Sequence, residues 1–225
     1  IDILWKALME KGPLFNIPCI LSFCSYKTND TYTQKDGLLS HWRGYGLDGG
    51  YAVVLNFSEM IKGFKKECED FRYAISGTGD VNYECDTLSK QHDLFNHLSR
   101  ITTFASNFYN YRVYGSDEPP VDGKDIESLA HCLVLFKHQG FEEEQEYRFF
   151  VFAYDDEEVA KKIIPLDAIN KPFKKIKFRL RRGTSVPYVE LFETNQTQQL
   201  LPIERIVVGS HKDKEKRAES LNIYL

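Results

Sequence analysis

Apolar positions along this chain fall into short continuous runs near its two ends and into helical spacings through its middle. Leu4 and Leu8, with Trp5, predict a helix over residues 2–11, ended by Gly12-Pro13. Residues 17–25 form a compact apolar run that predicts a strand, followed by a polar loop over 26–35. Asp36 is the predicted cap of a helix bearing Leu38, Leu39, Trp42 and Tyr45, whose spacings place them on adjoining faces. A glycine-dense turn over 44–50 separates it from a strand over 51–57. Ser58 is the predicted cap of the next helix, which runs through Met60, Ile61, Phe64 and Cys68. Residues 81–83 read as a short strand, and 86–111 and 124–137 as two helices. The loop between those helices, 115–123, contains a Pro119-Pro120 break. Strands are predicted over 144–154, 176–180, 186–192 and 205–208, and a last helix over 212–222. Strands that flank a helical middle predict an α+β fold with mixed or mainly antiparallel sheets, not alternating βαβ units.

Composition narrows the class. The 225 residues are 42% hydrophobic and include 16 Phe, 13 Tyr and 2 Trp, enough side-chain volume for one core and too apolar for a disordered chain. A single domain over 1–225 is the expectation. No apolar run approaches the roughly 20 residues of a bilayer span, so no membrane partner is expected. Cys19, Cys24, Cys68, Cys85 and Cys132 include no C-x-x-C pair. That spacing favours unpaired thiols in a reducing cytosol over a zinc ribbon, and no metal is expected.

The formal charge of −4 argues against a broad nucleic-acid surface, but its distribution is uneven. Lys171, Lys174, Lys175, Lys177, Arg179, Arg181 and Arg182 follow one another with no acid among them, whereas residues 141–158 are dominated by Glu and Asp. For the basic strip, a solvated strand face is favoured over a site for a phosphate-bearing ligand.

Gly44-Tyr45-Gly46-Leu47-Asp48-Gly49 matches G-x-G-x-x-G, yet it follows a predicted helix and precedes a predicted strand. A dinucleotide fold requires the opposite order, so a tight glycine turn is expected. His92 and His97, five apart, sit on different helix faces and do not suggest a shared metal. The strongest chemical candidate is the segment from Glu142 to Phe152. On a strand, Glu144, Glu146 and Arg148 face one side, with the two carboxylates about 6–7 Å apart. Pattern alone favours a charged strand edge with a surface ion pair over a reactive site.

Several of these pieces, taken in order, resemble a known family. Trp42-Arg43-Gly44-Tyr45-Gly46 resembles the W-R-x-Y-G signature of the prokaryotic domain-of-unknown-function 2971 family. Ser22-Phe23-Cys24-Ser25, Val81-Asn82-Tyr83, and Lys137 with Glu144, Glu146 and Arg148 are similar to its S-F-[CS], V-x-Y and K…E-x-E-[WY]-R segments. Pro187-Tyr188 and the run from Pro202 to Gly209 look like its closing strands. The family's N-terminal strand and N-D-P-type turn are not recognisable, and the chain does not begin with Met. Part of the domain's N-terminal segment is therefore expected to be missing.

The family's layout is in turn similar to that of ADP-ribosyltransferases, and this implies an NAD-consuming enzyme: a transferase or an NAD glycohydrolase, in the setting of a toxin or phage-defence effector. Glu146 would stabilise an oxocarbenium-like transition state and Glu144 would orient or deprotonate the acceptor. Trp42 or Tyr45 would wall the nicotinamide, and Arg43 or Arg148 would meet the pyrophosphate. Ser22, on the early polar strand, joins the cofactor-binding set. The alternatives are that Trp42 and Tyr45 are core anchors and that Arg148 simply neutralises a glutamate. Two other functions stay open: a non-catalytic nucleotide- or protein-binding module, and a metal-dependent nuclease using residues 142–146 and 155–158.

Overall fold

A computed structural model describes residues 18–25, 31–46, 49–83, 93–116, 123–154, 171–192 and 200–224. The fold is α+β, with antiparallel pairing in all three sheets of the described residues. The predicted helix over 2–11 lies outside the described residues, as do Cys85, His92 and residues 155–158. The chain divides into two compact units, Ile1–Cys24 with Cys68–Glu190, and Ser25–Glu67 with Leu191–Leu225.

The first unit is organised by strand β4 (Glu146–Phe152), which lies between β1 (Cys19–Cys24) and β3 (Ile75–Asp80). A strand hydrogen-bonded on both edges and covered on both faces has no solvent side. Accordingly Phe149, Phe150 and Val151 are each 1% exposed, and the apolar run does not alternate. Helices α4 (Asp93–Tyr114) and α5 (Gly123–Leu135) pack together, and α5 also packs against β3. The core joins Ile75, Leu94, Ala130, Val134, Leu135, Phe150 and Phe152. Strands β5 (Lys177–Arg181) and β6 (Thr184–Tyr188) form a hairpin.

Strand β3 replaces the expected strand over 81–83, where only a single bridge, Asn82 to Phe136, is found. Its glycines explain both its presence and its poor strand signal. A Cβ on Gly77 would stand 2.6 Å from Phe150 Cζ and 2.7 Å from His131 Nε2. One on Gly79 would stand 2.8 Å from Leu135 Cδ1. Bare backbone at these two positions, on one face of the strand, lets α5 approach the sheet.

The second unit contains α1 (Thr31–Asp36), α2 (Leu39–Tyr45), strands β2 (Tyr51–Leu55) and β7 (Ile203–Val208), and α6 (Lys214–Tyr224). Helix α3 (Phe57–Asp70) begins here, and the unit boundary falls within it. Part of the expected 26–35 loop is therefore helix. Asp36 ends α1 and does not cap α2, whose N-cap is Leu38. Helix α3 is capped two residues earlier than Ser58 would allow, because Asn56 Oδ1 accepts from the Glu59 N–H at 3.1 Å. Met60 and Phe64 are buried, and buried Glu67 accepts from the backbone N–H of Phe192, a residue in left-handed conformation.

Candidate functional site

The head of β4 is built by an abrupt change of backbone. A 3-10 turn (Gln139–Glu144) precedes it, and Gln145 adopts a left-handed conformation (φ 41°) before the strand begins at Glu146. Glu144 is consequently not on the strand, which corrects the expectation of a continuous run from 144 to 154. The two carboxylates still converge, because both accept from the ammonium of Lys137: Glu144 Oε2 at 2.9 Å, and Glu146 Oε1 in a short contact. Arg148 Nε donates to Glu146 Oε2 at 2.6 Å, and Arg148 Nη1 donates to the Val134 carbonyl in the last turn of α5. A cation at that position also complements the helix C-terminus.

The backbone of Glu146 is held as well. Its N–H donates to Tyr83 Oη at 2.9 Å, and its carbonyl accepts from the Val81 N–H at 2.9 Å. The Asn82 N–H donates to the Leu135 carbonyl and the Asn82 carbonyl accepts from the Lys137 N–H, across the bridge that positions Lys137. Lys137 also stands 4.5 Å from the centre of the Phe141 ring. The side chain of Glu146 is 6% exposed, that of Arg148 12% and that of Lys137 20%, so the cluster opens to water on the lysine side.

Burial works to raise the Glu146 pKa, but hydrogen bonds from Lys137 and Arg148 outweigh it and hold the carboxyl at about 2. For Lys137, burial works downward, and the bonds to Glu146 and Glu144 win and raise it. Cys24, opposite Glu146 across β1, is pushed up by burial and by the charges of Glu144 and Glu146. Glu146 is therefore a fixed negative charge throughout the physiological range.

Ser22 lies directly opposite Arg148 in the β1–β4 register and on the same sheet face, exposed. Ser22, Glu144, Glu146 and Arg148 thus share the first unit. Trp42, Arg43 and Tyr45 belong to the second unit, on α2. There the indole Nε1 of Trp42 donates to the Asp36 carbonyl at 2.7 Å, and its ring lies against glycine backbone. A Cβ on Gly46 would stand 3.0 Å from Trp42 Cε3, and one on Gly209 2.9 Å from the same atom. Gly209 N–H donates to Gly50 O at 3.1 Å, closing the turn onto the end of β7. The glycine segment is thus a structural seat for Trp42, with helix before and strand after, as expected from its order. Arg43 and Tyr45 are exposed, Tyr45 at 75%.

Lys137 and Tyr83 are the residues that sequence reasoning did not place in the site. Lys137 was visible only as the first letter of the K…E-x-E segment. Tyr83 carried no chemical pattern of its own.

Among the described residues no group of three or more His, Cys, Asp and Glu side chains could hold a metal ion. No helix among them is long and apolar enough to cross a membrane. Cys19, Cys24, Cys68 and Cys132 are thiols, not disulfides.

No curated protein and no solved structure matches the chain. The model of the family described as protein of unknown function (DUF2971) matches residues 41–149, from the helix of Trp42 to the strand of Glu146, and over that span the resemblance carried by the ordered motifs holds.

Proposed function

We propose that this chain consumes NAD, as an ADP-ribosyltransferase or an NAD glycohydrolase, with the head of β4 as its reactive site. The observation that carries the reading is the state of Glu146: a carboxylate fixed at both oxygens and ionised down to about pH 2. Breaking the bond between nicotinamide and ribose leaves the electron pair on nicotinamide and positive charge on the ribose C1′. A permanent, pre-oriented anion stabilises that charge without having to move a proton. The role fits charge stabilisation better than general acid chemistry, which needs a pKa near the working pH.

The Lys137 ammonium and the Arg148 guanidinium keep their hold on the two Glu146 oxygens while the ribose approaches the carboxylate. Glu144 faces the attacking water or acceptor hydroxyl and accepts its proton as the new bond to C1′ forms. A reducing cytosol suits the four described thiols. Incubation of purified protein with NAD tests the proposal. Release of nicotinamide, or transfer of ADP-ribose to an acceptor, is expected; absence of both removes the reading.

A second reading, a non-catalytic binding module, is favoured by α2. Trp42 is bonded and seated, whereas Arg43 and Tyr45 are exposed, with Tyr45 in edge contact with His41 at 6.1 Å between ring centres. Under that reading Tyr45→Ala abolishes the biological effect and Glu146→Gln leaves it intact.

A further inference from the structure

The β5–β6 hairpin is used by neither reading. Cross-strand pairing puts Lys177, Arg179 and Arg181 on one face, opposite Tyr188, Val186 and Thr184. Phe178 and Leu180 lie on the other face, and they are 67% and 82% exposed. The turn is Arg182-Gly183, both with positive φ (50° and 79°), so the tip carries a cation. Lys177 is paired with Glu190 at the root, and the Arg179 guanidinium lies 5.6 Å from the Tyr188 ring centre. Among the described residues β5 pairs only with β6.

We infer that this hairpin is a docking ribbon for single-stranded nucleic acid. Such strands are held by cations that follow the phosphates and by aromatic rings on which bases stack, and the ribbon presents both within five residues. Arg179, Arg181 and Arg182 meet phosphates, and Phe178 stacks a base on the other face. A duplex would use the cationic face and leave Phe178 and Leu180 in water. A bilayer would require apolar residues at the exposed tip, where Arg182 stands instead. A single strand is narrow and flexible enough to cross the ribbon edge and engage both faces.

The test is fluorescence anisotropy with a labelled oligo-dT of roughly 12 nucleotides, matched to one small single-strand site. Binding is expected to weaken with salt at a log–log slope of about −2, the value for some three phosphate contacts. Affinity then falls roughly fifteenfold between about 50 and 200 mM salt. Arg179→Glu with Arg181→Glu should weaken binding more than about tenfold, and Phe178→Ala at least about fivefold. Lys65→Glu, an exposed cation on α3, should change nothing. Circular dichroism and unfolding midpoints establish that each variant is folded. Should the double reversal fail to fold, Arg182→Gln and Phe178→Ala decide alone.

Several results overturn the inference. These are no binding at low salt, binding indifferent to the arginine or Phe178 changes, and loss of binding in Lys65→Glu. Sedimentation with anionic vesicles, or a dimer abolished by Leu180→Glu, in a protein that ignores the oligonucleotide would assign the ribbon to a membrane or to a second copy instead.

Discussion

Arg148 Nε stands 2.6 Å from Glu146 Oε2, two residues earlier on the same strand, while its other arm reaches the Val134 carbonyl in α5. The pair fastens the central strand to the helix packed on it. Removing Arg148 leaves Glu146 Oε2 and the Val134 carbonyl without this donor, while Lys137 still holds Glu146 Oε1. Arg148→Ala is therefore expected to destabilise the protein by about 1–3 kcal/mol in urea unfolding. A cost below about 0.5 kcal/mol would show that Lys137 alone satisfies the carboxylate.

The depressed pKa of Glu146 also fixes a pH signature. Its folded value of about 2 lies below the ordinary 4.5, so it contributes stability that is fully present above pH 4.5 and lost as the pH falls toward 2. The difference corresponds to about 3 kcal/mol. Lys137, raised above 10.5, has the opposite sign: its contribution is complete below 10.5 and fades only above it. Unfolding free energy should fall through the acid window in the native protein, and Glu146→Gln should flatten that fall. Equal acid sensitivity in both proteins would contradict the assignment.

Gly77 makes the close packing of α5 on β3 testable. A methyl group there meets Phe150 and His131 well inside contact distance, and Phe150 is fully buried and cannot give way. Gly77→Ala should cost about 1–3 kcal/mol, the range for overpacking a core. His131→Ala removes one of the two obstacles, so the double variant should cost less than the sum of the single changes. Strict additivity would mean that β3 moves away as a whole.

At Gly209 the obstacle is backbone. A Cβ would fall 1.8 Å from the Gly49 carbonyl oxygen, which no side-chain rotation relieves. Gly209→Ala should destabilise by more than about 2 kcal/mol, and Trp42→Ala should not rescue it. Rescue by Trp42→Ala would place the strain in the indole and not in the Gly49–Gly209 closure.

The sequence made some of this legible and hid the rest for physical reasons. The run from Phe149 to Phe152 made a strand legible, but not its central place, because the glutamates at its head read as a charged strand edge, whereas β4 is paired on both sides. The helix–turn–strand order around Gly44–Gly49 likewise disclosed a structural turn. Strand β3 was hidden because Gly77 and Gly79, the residues that let α5 pack close, are the ones that suppress a strand signal. Asn56, not Ser58, caps α3 because either residue type can cap and only the path of the chain decides. The largest omission was Lys137. Its spacing of seven and nine residues from Glu144 and Glu146 matches no periodicity, and the left-handed Gln145 that turns both carboxylates onto one ammonium leaves no mark in the sequence.

The role proposed for Glu146 is that of a fixed charge in NAD cleavage. The most direct measurement is the rate of nicotinamide release from NAD by the native protein and by Glu146→Gln, each shown by circular dichroism to be folded. Turnover by the native protein is expected, with a loss of at least about a hundredfold in the variant, the scale for removing a charge that stabilises the transition state. Equal rates in the two folded proteins, or no nicotinamide from either, would contradict it.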